Sequence, residues 1–145
     1  MNGTTPADGY PDRIIHATTG EVGLTQAPAP VLHKSGDKSL DVIQSAVLVA
    51  ESTDGTDPQD IEIEVRFIDT VTGETENAVT LRYRLAAEER ISVEGDRLLL
   101  SPGQIVAPNM EIQASPQIEV GDDATVEIFA VFARYFAPDV AANLS

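Results

Sequence analysis

The chain has 145 residues, 42% of them hydrophobic but only 5% aromatic, with no Trp and no Cys. That is enough apolar material for one domain plus an extended segment, packed mainly by Val, Ile and Leu, and it excludes disulfides, Cys-based metal sites and thiol chemistry. With 24 acidic residues against 9 Lys+Arg, the net charge of −15 repels phosphate backbones and anionic lipid headgroups, so neither a nucleic-acid nor a membrane partner is expected.

No apolar run approaches the roughly 18 residues of a membrane-spanning helix. The opening MNGTTPADGYPD lacks the basic start and apolar stretch of a signal peptide, so secretion by the usual route is unsupported. The charge itself reads three ways: solubility, adaptation to salt, or docking onto a basic surface of a larger assembly. Lys34 and Lys38 are the only lysines, which leans toward the second.

Residues 1–40 differ from the rest. Pro6, Pro11, Pro28 and Pro30 alternate with Gly3, Gly9, Gly20, Gly23 and Gly36. Between them lie short apolar pieces: Arg13-Ile14-Ile15-His16, Val22-Gly23-Leu24 and Val31-Leu32. None has the length or periodicity of an independent strand or helix. The segment reads either as a disordered leader or as an extended N-terminal arm that orders on docking to a neighbouring subunit. The Ile14-Ile15 and Val31-Leu32 pairs favour the arm.

From Asp41 the pattern is β. Val42–Ala50 is a first strand, and Glu51–Asp60 a turn-rich loop broken by Asp-Gly and Asp-Pro. Ile61–Asp69 alternates, with Ile61, Ile63, Val65 and Phe67 on one face and Glu62, Glu64 and Arg66 on the other. A hairpin loop follows at Thr70–Thr75, with Gly73 at the position needing positive φ. The return strand Ala78–Leu85 points Val79, Leu81, Tyr83 and Leu85 inward. Centring the hairpin on Gly73 predicts the pairs Val65–Leu81, Ile63–Tyr83, Glu64–Arg82 and Glu62–Arg84, because a one-residue slip would set apolar residues against charges.

Ala86–Glu89 reads as one helical turn or a loop. Arg90–Val93 and Arg97–Leu100 read as short strands, and Ser101–Gln104 as a type II turn with Pro then Gly. Ile105–Ala107 and Met110–Ser115 read as further strand. Gln117–Asp123 leads into Ala124–Phe136, the most apolar run in the chain. There Val126, Ile128, Ala130 and Phe132 share one face, and Phe129, Val131, Ala133 and Tyr135 the other. A strand apolar on both faces is normally covered on both sides. Phe129, Val131 and Tyr135 are therefore expected to be covered by a second sheet or by another chain.

Together these predict an all-β fold: an antiparallel β-sandwich, jelly-roll or Ig-like, of about seven or eight strands. The expected division is an arm at 1–40, the sandwich at 41–137 and a C-terminal tail at 138–145.

No catalytic kit is legible. His16 and His33 both fall in the leader, away from any G-x-S-x-G nucleophile motif, and read as structural. Asp54–Asp60 and Asp122-Asp123 offer oxygen ligands, but the first lacks the EF-hand pattern and both read as solvated turns, although the two loops can meet in space. Paired carboxylates for glycoside hydrolysis need a cleft with aromatic platforms, and only Tyr10, Tyr83 and Tyr135 are present with no Trp. Arg66, Arg82 and Arg84 read as partners of Glu62 and Glu64. No catalytic residue, cofactor or metal ligand is assigned.

From about Lys38 to Phe136 the layout resembles small all-β virion proteins of tailed bacteriophages and gene-transfer particles. Three features carry the resemblance: the early strand Ser45–Ser52 running into a polar turn, Leu98-x-Leu100-x-Pro102-Gly103 before a strand, and the alternating final strand Val126–Phe132. Gln104 stands where such proteins commonly have Asp. The resemblance implies a non-enzymatic structural subunit in a virion, assembled in the host cytoplasm. It would decorate the head or neck as a homo-oligomer and contact major capsid, neck or tail subunits. Ile14, Ile15, Val31, Leu32, Phe129, Val131 and Tyr135 are the candidate docking residues. The alternatives are a receptor- or glycan-binding spike module, and a hydrolase.

Overall fold

A computed structural model describes residues 11–23, 30–116 and 123–136. Residues 1–10 of the expected arm, Leu24, Pro28, Asp122 and the tail at 138–145 lie outside them. The described chain forms ten strands: β1 (Arg13–Thr18), β2 (Val22–Gly23), β3 (Val31–Lys34), β4 (Ser39–Ser52), β5 (Gln59–Asp69), β6 (Thr75–Leu85), β7 (Arg90–Glu94), β8 (Ile105–Val106), β9 (Met110–Pro116) and β10 (Ala124–Phe136). They build two antiparallel sheets packed as a sandwich. The first runs β1-β10-β4-β7, with β2 on β10 and β8 on β4. The second runs β3-β9-β5-β6.

The alternation read from the sequence explains the core. Ile61, Ile63, Val65 and Phe67 of β5 and Leu81 and Leu85 of β6 point inward from the second sheet. Leu48 and Ala50 of β4 and Val126, Ile128, Ala130 and Phe132 of β10 meet them from the first. Burying such side chains yields roughly 25 cal/mol per Å² of apolar surface removed from water, the main favourable term here. The final strand is central, with β1 on one side and β4 on the other.

Several expectations are corrected. The described part of residues 1–40 is no separate extended arm, because β1 and β2 pair with β10 and β3 pairs with β9 of the same chain. These short edge strands are held by ladder hydrogen bonds to a neighbour, and such support leaves little periodicity in their own sequence. The sandwich thus starts before residue 41, and ten strands replace seven or eight.

The β5–β6 hairpin is shifted by two residues from the expected register. It pairs Val65 with Val79, Ile63 with Leu81, Glu62 with Arg82 and Asp60 with Arg84. The cause is the turn. Asp69 Oδ1 accepts from the backbone N–H groups of Val71 and Thr72, and Asp69 O from Gly73 N at 2.7 Å, so the chain reverses before Gly73. Gly73 does take the positive φ of 79°. A bulge between Phe67 and Ile68 adjusts the register once more. The inward face is unchanged, because a shift of two preserves it.

The expected strand at Arg97–Leu100 is instead a 3-10 turn, Gly95–Leu98, ended by Leu99 at φ 62°. Leu98 and Leu100 are nevertheless fully buried. The turn after it behaves as read: Gly103 has φ 87° and Gln104 N donates to Ser101 O.

Two further bulges redirect side chains. In the β4–β10 ladder Val131 pairs with Ser45 but Phe132 with Ile43, leaving Gln44 unpaired. Beyond that point the inward positions of β4 change from even to odd, so Ile43 and Asp41 face the core rather than solvent. In the β3–β9 ladder Val31 pairs with Gln113 but His33 with Ile112, and His33 is carried inward beside Leu32.

Candidate functional site

The two bulges aim polar groups into the interior. His33 from the second sheet and Asp41 from the first meet with His33 Nε2 2.6 Å from Asp41 Oδ2. Arg134 lies opposite Asp41 in the ladder and holds its carboxylate with both prongs, Nε to Oδ1 at 2.8 Å and Nη2 to Oδ2 at 2.9 Å. The His33 ring stacks on Phe132, with centroids 3.9 Å apart. Burial pushes the Asp41 carboxyl up, but hydrogen bonds from Arg134 and then His33 outweigh it and hold it below the ordinary aspartate value. The hydrogen bond to Asp41 raises Arg134. An ionised carboxylate only accepts, so His33 Nε2 carries the proton of their shared bond.

This cluster has no open approach, since Asp41 is wholly buried and His33 nearly so. Its geometry ties the two sheets together through the His33–Asp41 hydrogen bond. His33 lies on a core strand rather than in a leader. His16 sits apart on β1, exposed and paired with Val131.

The acidic loops have local employment. Asp54 Oδ1 accepts from Asp57 N, Thr56 N and Thr56 Oγ1, and the backbone bonds from Asp57 and then Thr56 lower its carboxyl. Asp123 meets this region through its carbonyl, which accepts from Thr53 N at 2.8 Å. Among the described residues no group of three or more His, Asp or Glu is placed to hold a metal ion.

The two outer faces of the sandwich differ. That of the second sheet is polar: Arg82 pairs with Glu62, Arg84 with Asp60, and Arg66 Nη2 donates to Gln113 Oε1. That of the first sheet is apolar across four strands. One cross-strand row runs Ile14, Ala133, Val42 and Ile105, and another holds Phe129 and Val47. Tyr135 and Leu40 pair beside them. Ile14 is 48%, Phe129 42% and Ile105 56% exposed. A shallow groove on this face is lined by His16, Ser45, Val47, Phe129 and Val131. Toward its other end the face turns polar, with Glu51 opposite Arg90, and Thr18 Oγ1 donating to Glu127.

Of the seven candidate docking residues, four share this face: Ile14 and Phe129, both exposed, and Val131 and Tyr135, half-buried. The second sheet covers none of these four, as it packs on the opposite side. Leu32 belongs to the core and Ile15 packs against it, while Val31 is exposed on the other sheet. Sequence reading missed Val42, Val47 and Ile105. Val47 and Val49 flank the inward Leu48, a two-faced pattern like that of β10, whereas the two-residue strand holding Ile105 has no periodic signal.

No protein-family model matches the chain, and no curated protein matches it. Solved structures do. A chain of Desmodium yellow mottle tymovirus is similar over 87% of this chain and 88% of its own, at 9% identity and a TM-score of 0.37. The virus is a tymovirus, not a tailed bacteriophage. The CBM22-1–GH10 modules of a Clostridium thermocellum N-terminal endo-1,4-beta-D-xylanase, complexed with xylohexaose, are similar at 14% identity and a TM-score of 0.35. That match spans 82% of this chain but only 26% of the xylanase chain.

Proposed function

We propose that the protein is a non-enzymatic structural subunit of a virion-like particle, in a head-decoration or neck position, that self-associates through the outer face of its first sheet. A two-layer sandwich needs one apolar face per sheet, and this sheet has two. That observation carries the reading. Phe129, Ile14 and Ile105 gain from burial only if another subunit covers them. A face centred on a long strand suits subunit stacking, and the partners we propose for it are capsid, neck or tail subunits.

Replacing both Phe129→Gln and Ile105→Gln should leave the circular dichroism spectrum intact, since both side chains are exposed. The same variant should lower the native mass from that of an oligomer of the 15.5 kDa chain. A wild-type chain lacking any contact sensitive to this pair removes the face from the assembly. In a producing host, the protein should sediment with particles, and its confinement to the non-sedimenting fraction would overturn the virion reading.

A further inference from the structure

We infer that the seam between β6 and β7 holds a binding site for a neutral saccharide. β6 ends the second sheet and β7 ends the path of the first, so the two flank one side of the sandwich. A cleft of about 540 Å³ opens there, within the roughly 300–1,000 Å³ of small-molecule sites. Its walls include Tyr83 of β6, Ile91, Val93 and Glu94 of β7, and Asp96 and Arg97 of the 3-10 turn. Tyr83 faces inward beside Leu81 and Leu85, yet those two are buried and Tyr83 is only half-buried. The reason is local. β7 has five residues against eleven in β6, and after Glu94 the chain leaves the sheet for the 3-10 turn. The first sheet therefore leaves part of the ring uncovered.

The polar groups around this ring are unengaged. Among the described residues, the side chains of Tyr83, Glu94, Asp96 and Arg97 make no hydrogen bond or ion pair. Elsewhere the pattern is different: Arg66, Arg82, Arg84 and Arg134 each hold a partner. A half-covered aromatic ring with convergent donors and acceptors, over an apolar floor, is the ordinary make-up of a small-molecule site.

The lining selects the ligand class. A net charge of −15 and two carboxylates at the rim repel phosphorylated or sulfated ligands. Arg97 opposes a cation, and among the described residues no three His, Asp or Glu are grouped to hold a metal. A wholly apolar ligand would strip water from Glu94, Asp96 and Arg97 without replacing their hydrogen bonds. A sugar ring satisfies both kinds of surface. Its C–H face lies on Tyr83, with Ile91 and Val93 behind. Its hydroxyls donate to the Glu94 and Asp96 carboxylates and accept from the Arg97 guanidinium, bonds strengthened by the charge on the protein partner. The cleft shares no lining residue with the groove at Phe129, so this binding does not depend on self-association.

The full chain is probed on an array of neutral oligosaccharides built from hexoses, pentoses and N-acetylhexosamines, with sulfated glycans as the anionic arm. At least one neutral glycan should be retained, and its affinity is then followed by titration calorimetry. Tyr83→Ala should weaken it about tenfold, while Tyr83→Phe, which keeps the stacking face, should cost only about threefold. Tyr83 packs against the core, so a second variant guards against misfolding. Glu94→Ala with Asp96→Ala removes two exposed side chains and should weaken binding about tenfold with an unchanged circular dichroism spectrum. Arg97→Ala should also weaken binding. Lys34→Ala, the loss of an exposed cation at the far edge of the second sheet, should not. Three results overturn the inference: no neutral glycan retained, sulfated glycans retained alone, or a neutral glycan whose affinity is unchanged by the Glu94, Asp96 variant or by a folded Tyr83→Ala.

Discussion

At the scale of single residues, Asp41 holds the most consequential position. Its carboxylate is removed from water and accepts three hydrogen bonds, two from Arg134 and one from His33. Breaking a buried ion pair leaves the survivor without a counter-charge, so Asp41→Asn should cost about 3–5 kcal/mol in urea unfolding. The pH dependence has a definite sign. A carboxyl held low in the folded state binds fewer protons there than in the unfolded chain. Its stabilisation is present above the unfolded aspartate value of about 3.9 and fades as pH falls through the lower folded value. Asp41→Asn should remove that part of the acid sensitivity, measured as the wild-type minus variant stability between neutral and acid pH. Gly95 is constrained sterically. A Cβ there would lie 2.5 Å from Leu100 O and 2.9 Å from Ala46 Cβ. Gly95→Ala should therefore destabilise by about 1–3 kcal/mol, read from the same unfolding curves.

At the scale of elements, the bulges are the devices that matter. Removing Gln44 would restore regular alternation in β4 and turn Ile43 and Asp41 toward solvent, or else slip the strand against β10. A Gln44 deletion should therefore cost more stability than Gln44→Ala, whose side chain is exposed; thermal melts of the two compare them directly. This also marks where the sequence was readable. Ile61–Phe67 and Val126–Phe132 announce their inward faces because period-two alternation is a local property. His33 and Asp41 give no such sign. Their meeting depends on one unpaired residue in each of two ladders and on a partner 93 positions away. The hairpin illustrates the same limit at closer range: polarity set its faces correctly, while the Asp69 side chain chose the turn and moved the register by two. The outer apolar face was half legible. Phe129 and Val131 were marked by β10 itself, but Ile105 reaches the face only through a two-residue strand.

For the whole molecule, the polar outer face of one sheet and the apolar outer face of the other give the sandwich two unlike sides. The position of β10 has a kinetic side. It is the last strand described, yet it lies between β1, the first, and β4. During synthesis the β5–β6 hairpin can close as soon as it emerges. The first sheet must wait with its middle missing until Phe136 has been made. Until then β1 and β4 keep unpaired edges and uncovered apolar side chains, the state most open to proteases and to wrong partners. Pairing between segments so distant in sequence also makes folding slow for the size of the domain. The apolar outer face centred on β10 is therefore completed only after the hairpin of the second sheet.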